Sequence, residues 1–150
     1  MEIREATPSD ISTIVKVGKY WHDIATYAEF QTYDEQALSE AIYEVIANGH
    51  GRMWVMWDDD KVVGMIMGHL APNFFNSNQT MAVCAFVAVL PKYQRKKISK
   101  QLSMEFEEWG KGKGADTIVY SGYSKKFIDS MKRKGFKQVE VTLMKKVGDE

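Results

Sequence analysis

The sequence predicts an α/β fold, and three stretches carry the prediction. Residues 82–90 hold Val, Phe and Ala with no charge, the composition of a strand buried on both faces. Pro91 ends that run, and Ile98, Leu102, Phe106 and Trp109 then recur at helical spacing. Residues 52–57 and 61–70 are two more apolar runs, and the polar turn Asp58, Asp59, Asp60 between them predicts an antiparallel hairpin. With 150 residues and 45% hydrophobic side chains, the chain reads as one domain, 1–150, with a sizeable core.

In order, residues 1–6 read as a short strand. Thr7, Pro8, Ser9 and Asp10 then form a capping box with Pro at the first helical position. The helix they open puts Ile11, Ile14, Val15 and Gly18 on one face and runs towards Tyr20, Trp21 and His22. Asp34 caps a second helix with Leu38, Ala41, Ile42, Val45 and Ile46 as its stripe, stopped by Asn48 and Gly49. In the hairpin, Gly64 and Gly68 mark a bend or a close approach. Residues 71–80 are a turn-rich loop carrying Phe74 and Phe75, which fold over a substrate, pack on a second subunit of a homodimer, or tuck into their own domain. After the central strand and helix, residues 110–114 form a glycine-rich end, 116–120 another strand, Ser124 the cap of a helix with Phe127, Ile128 and Met131 inward, and 138–146 a last strand. The element order is β-α-α-β-β-β-α-β-α-β.

Composition narrows the function classes. One cysteine, Cys84, leaves no internal disulfide and no cysteine-cluster metal site. No signal peptide or membrane span is read, so the expected setting is a reducing cytoplasm with no membrane partner. The net charge of zero conceals an asymmetry: residues 1–90 carry five Lys/Arg against twelve Asp/Glu, and residues 91–150 fifteen against eight. That balance disfavours a nucleic-acid surface, for which Tyr93 would have to stack bases beside the basic run. It suits a basic part for an anionic cofactor beside an acidic part for a cationic substrate.

The basic run is Lys92, Arg95, Lys96, Lys97 and Lys100, lying between a strand and a helix start. Backbone N–H groups, a helix N-terminus and these cations converge there, which attracts phosphate. A solvated surface turn is the alternative.

Here the sequence resembles a known family. Strand, Pro91, Lys92, Tyr93, then Gln94, Arg95, Lys96, Lys97, Ile98, Ser99 and an amphipathic helix are similar to the acetyl-CoA loop of the GNAT superfamily of N-acetyltransferases, R/Q-x-x-G-x-G/A. Gln94 matches its first position, while Lys97 and Ser99 stand where the family has glycines. The C-terminal part resembles the family's N-x-x-A-x-x-L-Y-x-x-x-G-F. Gly135 and Phe136 are in register, with Ser124, Phe127, Ser130 and Met131 at the Asn, Ala, Leu and Tyr positions. The resemblance covers nearly the whole chain. It implies a mixed, largely antiparallel twisted sheet of six to seven strands, flanked by about four helices, with splayed central strands at 82–90 and 116–121.

The resemblance also implies a function: transfer of an acetyl group from acetyl-CoA to a primary amine of a small molecule or protein, without a metal. Backbone groups of Val87, Ala88 and Val89 would bind the pantetheine arm, amides near Arg95 to Ser99 the pyrophosphate, and Ser124 and Met131 would be further cofactor-binding residues. An N–H near Val89 would polarise the thioester carbonyl. The linker between the first two helices, with Tyr27, Glu29, Phe30, Tyr33 and Asp34, would border the acceptor amine. Met131 replaces the tyrosine that often protonates the departing thiolate, leaving Tyr120 and Tyr123 as substitutes. The central strand lacks the carboxylate many members carry; His69 and carboxylates of the first helical region are the remaining bases, and Cys84 reads as inert core. A rival class is a weak or inactive protein on the same scaffold that binds CoA or a protein partner.

Overall fold

The computed structural model describes residues 1–122 and 124–149. Its elements are β1 (Glu2–Glu5), α1 (Ile11–Ile24), α2 (Glu35–Asn48), β2 (Gly51–Asp58), β3 (Lys61–Pro72), β4 (Thr80–Val89), α3 (Ile98–Gly112), β5 (Thr117–Val119) and α4 (Lys125–Arg133). One sheet runs in the order β1-β2-β3-β4-β5. Its first three pairings are antiparallel and β4–β5 is parallel. This is the mixed, largely antiparallel α/β architecture expected, with five strands among the described residues rather than six or seven.

The difference lies at the C-terminus. Residues 138–146 form no strand, and Val139 and Leu143 stand 87% and 90% exposed. Alternation of Val139, Val141 and Leu143 specifies a face, but a strand also needs an edge to pair with. The sequence pattern carries no information about that edge.

The local signals upstream hold. Asp10 Oδ2 accepts the Thr7 N–H at 2.8 Å and Arg4 Nη1 at 3.0 Å, locking β1 to the start of α1. Asp34 Oδ1 accepts the Ala37 N–H at 2.9 Å, and Gly49 closes α2 at φ 74°. The β2–β3 hairpin turns on two residues, with Asp59 at φ 53°.

Alternation along the sheet builds two cores. Met53, Val55, Trp57, Val62 and Met65 face α1 and α2. Trp54, Met56, Val63, Ile66 and Ala82 face α3, through Ile98, Leu102, Phe106 and Trp109. The two helical layers come from the two halves of the sequence. Phe106 explains Gly68: a Cβ there would lie 2.3 Å from the buried ring. The register between β3 and β4 shifts at that point, where Met67 faces Phe86 and Gly68 faces Cys84, leaving Ala85 as the extra residue of a bulge.

Candidate active site

The bulge divides β4. Before it, Met81, Ala82 and Val83 pair with Thr117, Ile118 and Val119; beyond it, β5 contributes no partner and the edge of β4 is open among the described residues. Leu90 N–H donates to Val63 O at 2.9 Å, so Leu90 turns towards β3. By the alternation of an antiparallel ladder, Ala88 does the same, while Val87 and Val89 turn their N–H and C=O to the open edge. Of the three residues whose backbone is expected to meet a ligand, Val87 and Val89 face the open edge and Ala88 faces β3.

Pro91–Lys96 winds as a 3₁₀ turn directly after this edge. Gln94 Nε2 donates to Val89 O at 3.4 Å, joining the turn to the open strand. Lys97 then adopts φ 60°, the left-handed conformation in which glycine carries no steric penalty, and α3 begins at Ile98. The Ile98 side chain is fully buried and packs over Gly64, so only its backbone faces the opening. The first N–H groups of α3, including that of Ser99, have no partner within the helix. Lys92, Arg95, Lys96, Lys97 and Lys100 are all exposed, and none forms an ion pair among the described residues.

One contact was invisible in the sequence. Tyr93 Oη donates to Asp58 Oδ2 at 2.6 Å, docking the basic turn on the hairpin. Lys96 Nζ and Lys61 Nζ lie 5.1 Å and 5.9 Å from the centroid of the same ring. The hydrogen-bonded pair is 35 residues apart, and no local pattern announces it.

On the β5 side of the opening, Ser124 accepts the Phe127 N–H at 3.1 Å as the cap of α4. Met131 is buried, 9% exposed, near the end of that helix, which closes through Phe136 N–H to Met131 O at 3.1 Å and Gly135 at φ 95°. Tyr120 donates to Glu107 Oε1 at 3.2 Å and packs its ring against Phe106, Phe127 and Phe136. Tyr123, the other substitute donor, lies outside the described residues. Cys84 is buried, and burial pushes its thiol up to about 12, which keeps it protonated and inert. His69 pairs with Val83, six residues from Val89, about 20 Å along the strand.

The linker between α1 and α2 folds back on α1. His22 Nε2–H donates to Gln31 O at 2.8 Å, and Tyr33 Oη donates to Val15 O. Tyr33 and Asp34 therefore have structural roles, while Tyr27 and Glu29 remain exposed. Trp21 reaches β4 edge-to-face with Phe86, ring centroids 6.5 Å apart. An open cavity of about 400 Å³ separates Phe30 and Gln31 from Leu143, Met144, Lys145, Lys146 and Val147. Its polar wall is therefore cationic as well as amide. Phe74 and Phe75 stand 92% and 94% exposed, so they do not tuck into their own domain.

Comparison with known families decides what this geometry belongs to. The model of the acetyltransferase (GNAT) family matches residues 19–136, most of the chain. The protein is a member of the GNAT acetyltransferase family. Acyl transfer is accordingly the general chemistry of this GNAT chain. A Trypanosoma brucei acetyltransferase superposes with a TM-score of 0.74 at 19% identity, covering 97% of this chain and 99% of that one. A transcriptional regulator from Bacillus halodurans gives 0.77 at 19%, covering 96% and 97%. An aminoglycoside N-acetyltransferase in complex with CoA gives 0.76 at 15%, covering 99% and 95%. Likeness at these identities establishes the GNAT fold for the described residues. The comparison with curated proteins finds no match. No helix among the described residues is long and apolar enough to cross a membrane, and they hold no cluster of metal-ligating side chains.

Proposed function

We propose that the protein is an N-acyltransferase that moves an acetyl group from acetyl-CoA to a primary amine. The observation that carries this reading is the open edge of β4 beyond Val83, ending in an exposed cationic turn at the start of α3. The backbone of Val87 and the N–H of Val89 face the open edge and suit the pantetheine arm as a neighbouring strand would. The amides from Lys97 to Lys100, with the side chains of Lys92, Arg95, Lys96, Lys97 and Lys100, suit pyrophosphate. Gln94 acts through the Val89 carbonyl. Bound acetyl-CoA supplies an activated thioester.

The unpaired N–H of Val89 can polarise a carbonyl brought to the strand edge. In the transfer, the neutral amine nitrogen forms the new C–N bond, the C–S bond breaks, and its electron pair leaves on sulfur. The amine proton is lost to solvent, and the thiolate takes a proton from solvent. Proximity of amine and thioester provides most of the acceleration. The acceptor side is the α1–α2 linker with Tyr27, Glu29 and Phe30, beside Trp21 and Phe86.

A second reading, a slow enzyme or a CoA-binding protein without turnover, gains support from Met131, which offers no proton. The test is CoA-thiol release over a panel of amines, amino acids and peptides. Release that depends on an amine supports transfer; binding of acetyl-CoA with no release from any acceptor supports the second reading.

A further inference from the structure

We propose that Tyr93 and Asp58 are a positioning pair that fixes the cationic turn, and that through it Lys61 of the β2–β3 hairpin joins the groups meeting donor phosphate. The inference rests on the acetyl-CoA reading above. Between Pro91 and Lys97, Tyr93 alone is not exposed; it packs against the core that contains Ile98 and Leu102. Beyond its own backbone bonds, such as Tyr93 N–H to Leu90 O at 2.8 Å, the turn's one other side-chain hydrogen bond among the described residues is the long contact from Gln94 to Val89 O. A cationic turn left loose would have to be ordered by the ligand, at a cost in affinity. The 2.6 Å bond to Asp58 removes that cost in advance.

The pair also manages charge. Asp58, Asp59 and Asp60 put three carboxylates on the hairpin that abuts the anion site, where each would repel phosphate. The phenol commits one of them, Asp58, to a hydrogen bond. Its ring holds the ammonium groups of Lys61 and Lys96 within 6 Å, one from each side of the junction. A phenol is protonated at neutral pH at its ordinary value, and the hydrogen bond to Asp58, with partial burial, raises that of Tyr93 further.

An asymmetry follows. Tyr93→Phe removes the anchor and frees a carboxylate beside the phosphates, whereas Asp58→Asn removes that charge and retains an acceptor for the phenol. Calorimetric titration with CoA should find Tyr93→Phe weakened about tenfold and Asp58→Asn close to wild type. The double variant Asp58→Asn/Tyr93→Phe should regain part of the loss. Lys61→Met, a surface change that leaves the fold alone, should weaken binding about threefold, and less so in high salt. Melting temperatures taken alongside separate loss of fold from loss of affinity. If wild type binds CoA and Tyr93→Phe binds equally well, the positioning role is wrong. A double variant as weak as Tyr93→Phe overturns the charge argument, and an unchanged Lys61→Met removes Lys61 from the site. Failure of wild type to bind CoA would instead overturn the donor reading itself.

Discussion

The hydroxyl of Tyr120 donates to Glu107 Oε1 at 3.2 Å, so the described tyrosine at the end of β5 is committed to α3. Burial pushes its phenol well above the ordinary value; Ser103 opposes this and Glu107 adds to it. A phenol so placed is a poor proton donor. Tyr120→Phe should leave thiol release within about twofold of wild type and cost about 1 kcal/mol of stability for the lost part-buried hydrogen bond. Parallel rate and urea-unfolding measurements check both.

Met131 stands at the Tyr position of the C-terminal pattern that the sequence resembles, and on the proposed function that leaves the thiolate without a side-chain proton donor. Met131→Tyr should raise thiol release several-fold, since a positioned general acid adds rate where water now serves. The larger side chain enters a buried position and should lower stability by about 1–3 kcal/mol. A variant that folds, binds acetyl-CoA and turns over no faster would remove Met131 from the thiolate's side of the site.

Lys97 holds φ 60° at the entry to α3. Lys97→Gly should relieve about 1 kcal/mol of backbone strain and raise the melting temperature by about 2–4 °C. Affinity for CoA should fall several-fold in the same variant, because the ammonium is lost. Tighter CoA binding by Lys97→Gly would show that the side chain obstructs the phosphates.

These residues also show what the sequence could reveal. The strand, cationic turn and helix were legible because each is local: uncharged run, Pro91, then Ile98, Leu102, Phe106 and Trp109 at helical spacing. The caps at Asp34 and Ser124 were legible for the same reason. The bulge at Ala85 was not, since it is a mismatch between two strands and exists only once β3 and β4 pair. The Tyr93–Asp58 bond joins a turn to a hairpin and required the fold. The expected strand over 138–146 erred the other way, a good local alternation with no edge to receive it.

Asp10 links β1 to α1 and carries a pH signature. Burial, at 7% exposure, acts to raise its carboxyl. The Thr7 N–H, the Arg4 guanidinium and the Thr7 hydroxyl outweigh that and hold it below the ordinary value. A depressed carboxyl stabilises the fold fully above its unfolded pKa, about 3.9, and the contribution fades as pH falls through the folded value. Asp10→Asn should therefore be less stable than wild type by about 1–2 kcal/mol at neutral pH. The gap should stay constant above about pH 5 and shrink below about pH 4, as read by denaturant melts across that range.

The most direct test of the account is calorimetric titration of the protein with acetyl-CoA at low salt. One saturable site is expected, with an affinity that falls as salt rises because the turn from Lys92 to Lys100 meets phosphate through exposed cations. A melting temperature that climbs with ligand concentration should accompany it. No heat and no thermal shift at millimolar acetyl-CoA would contradict the assignment of the open β4 edge and cationic turn as the donor site.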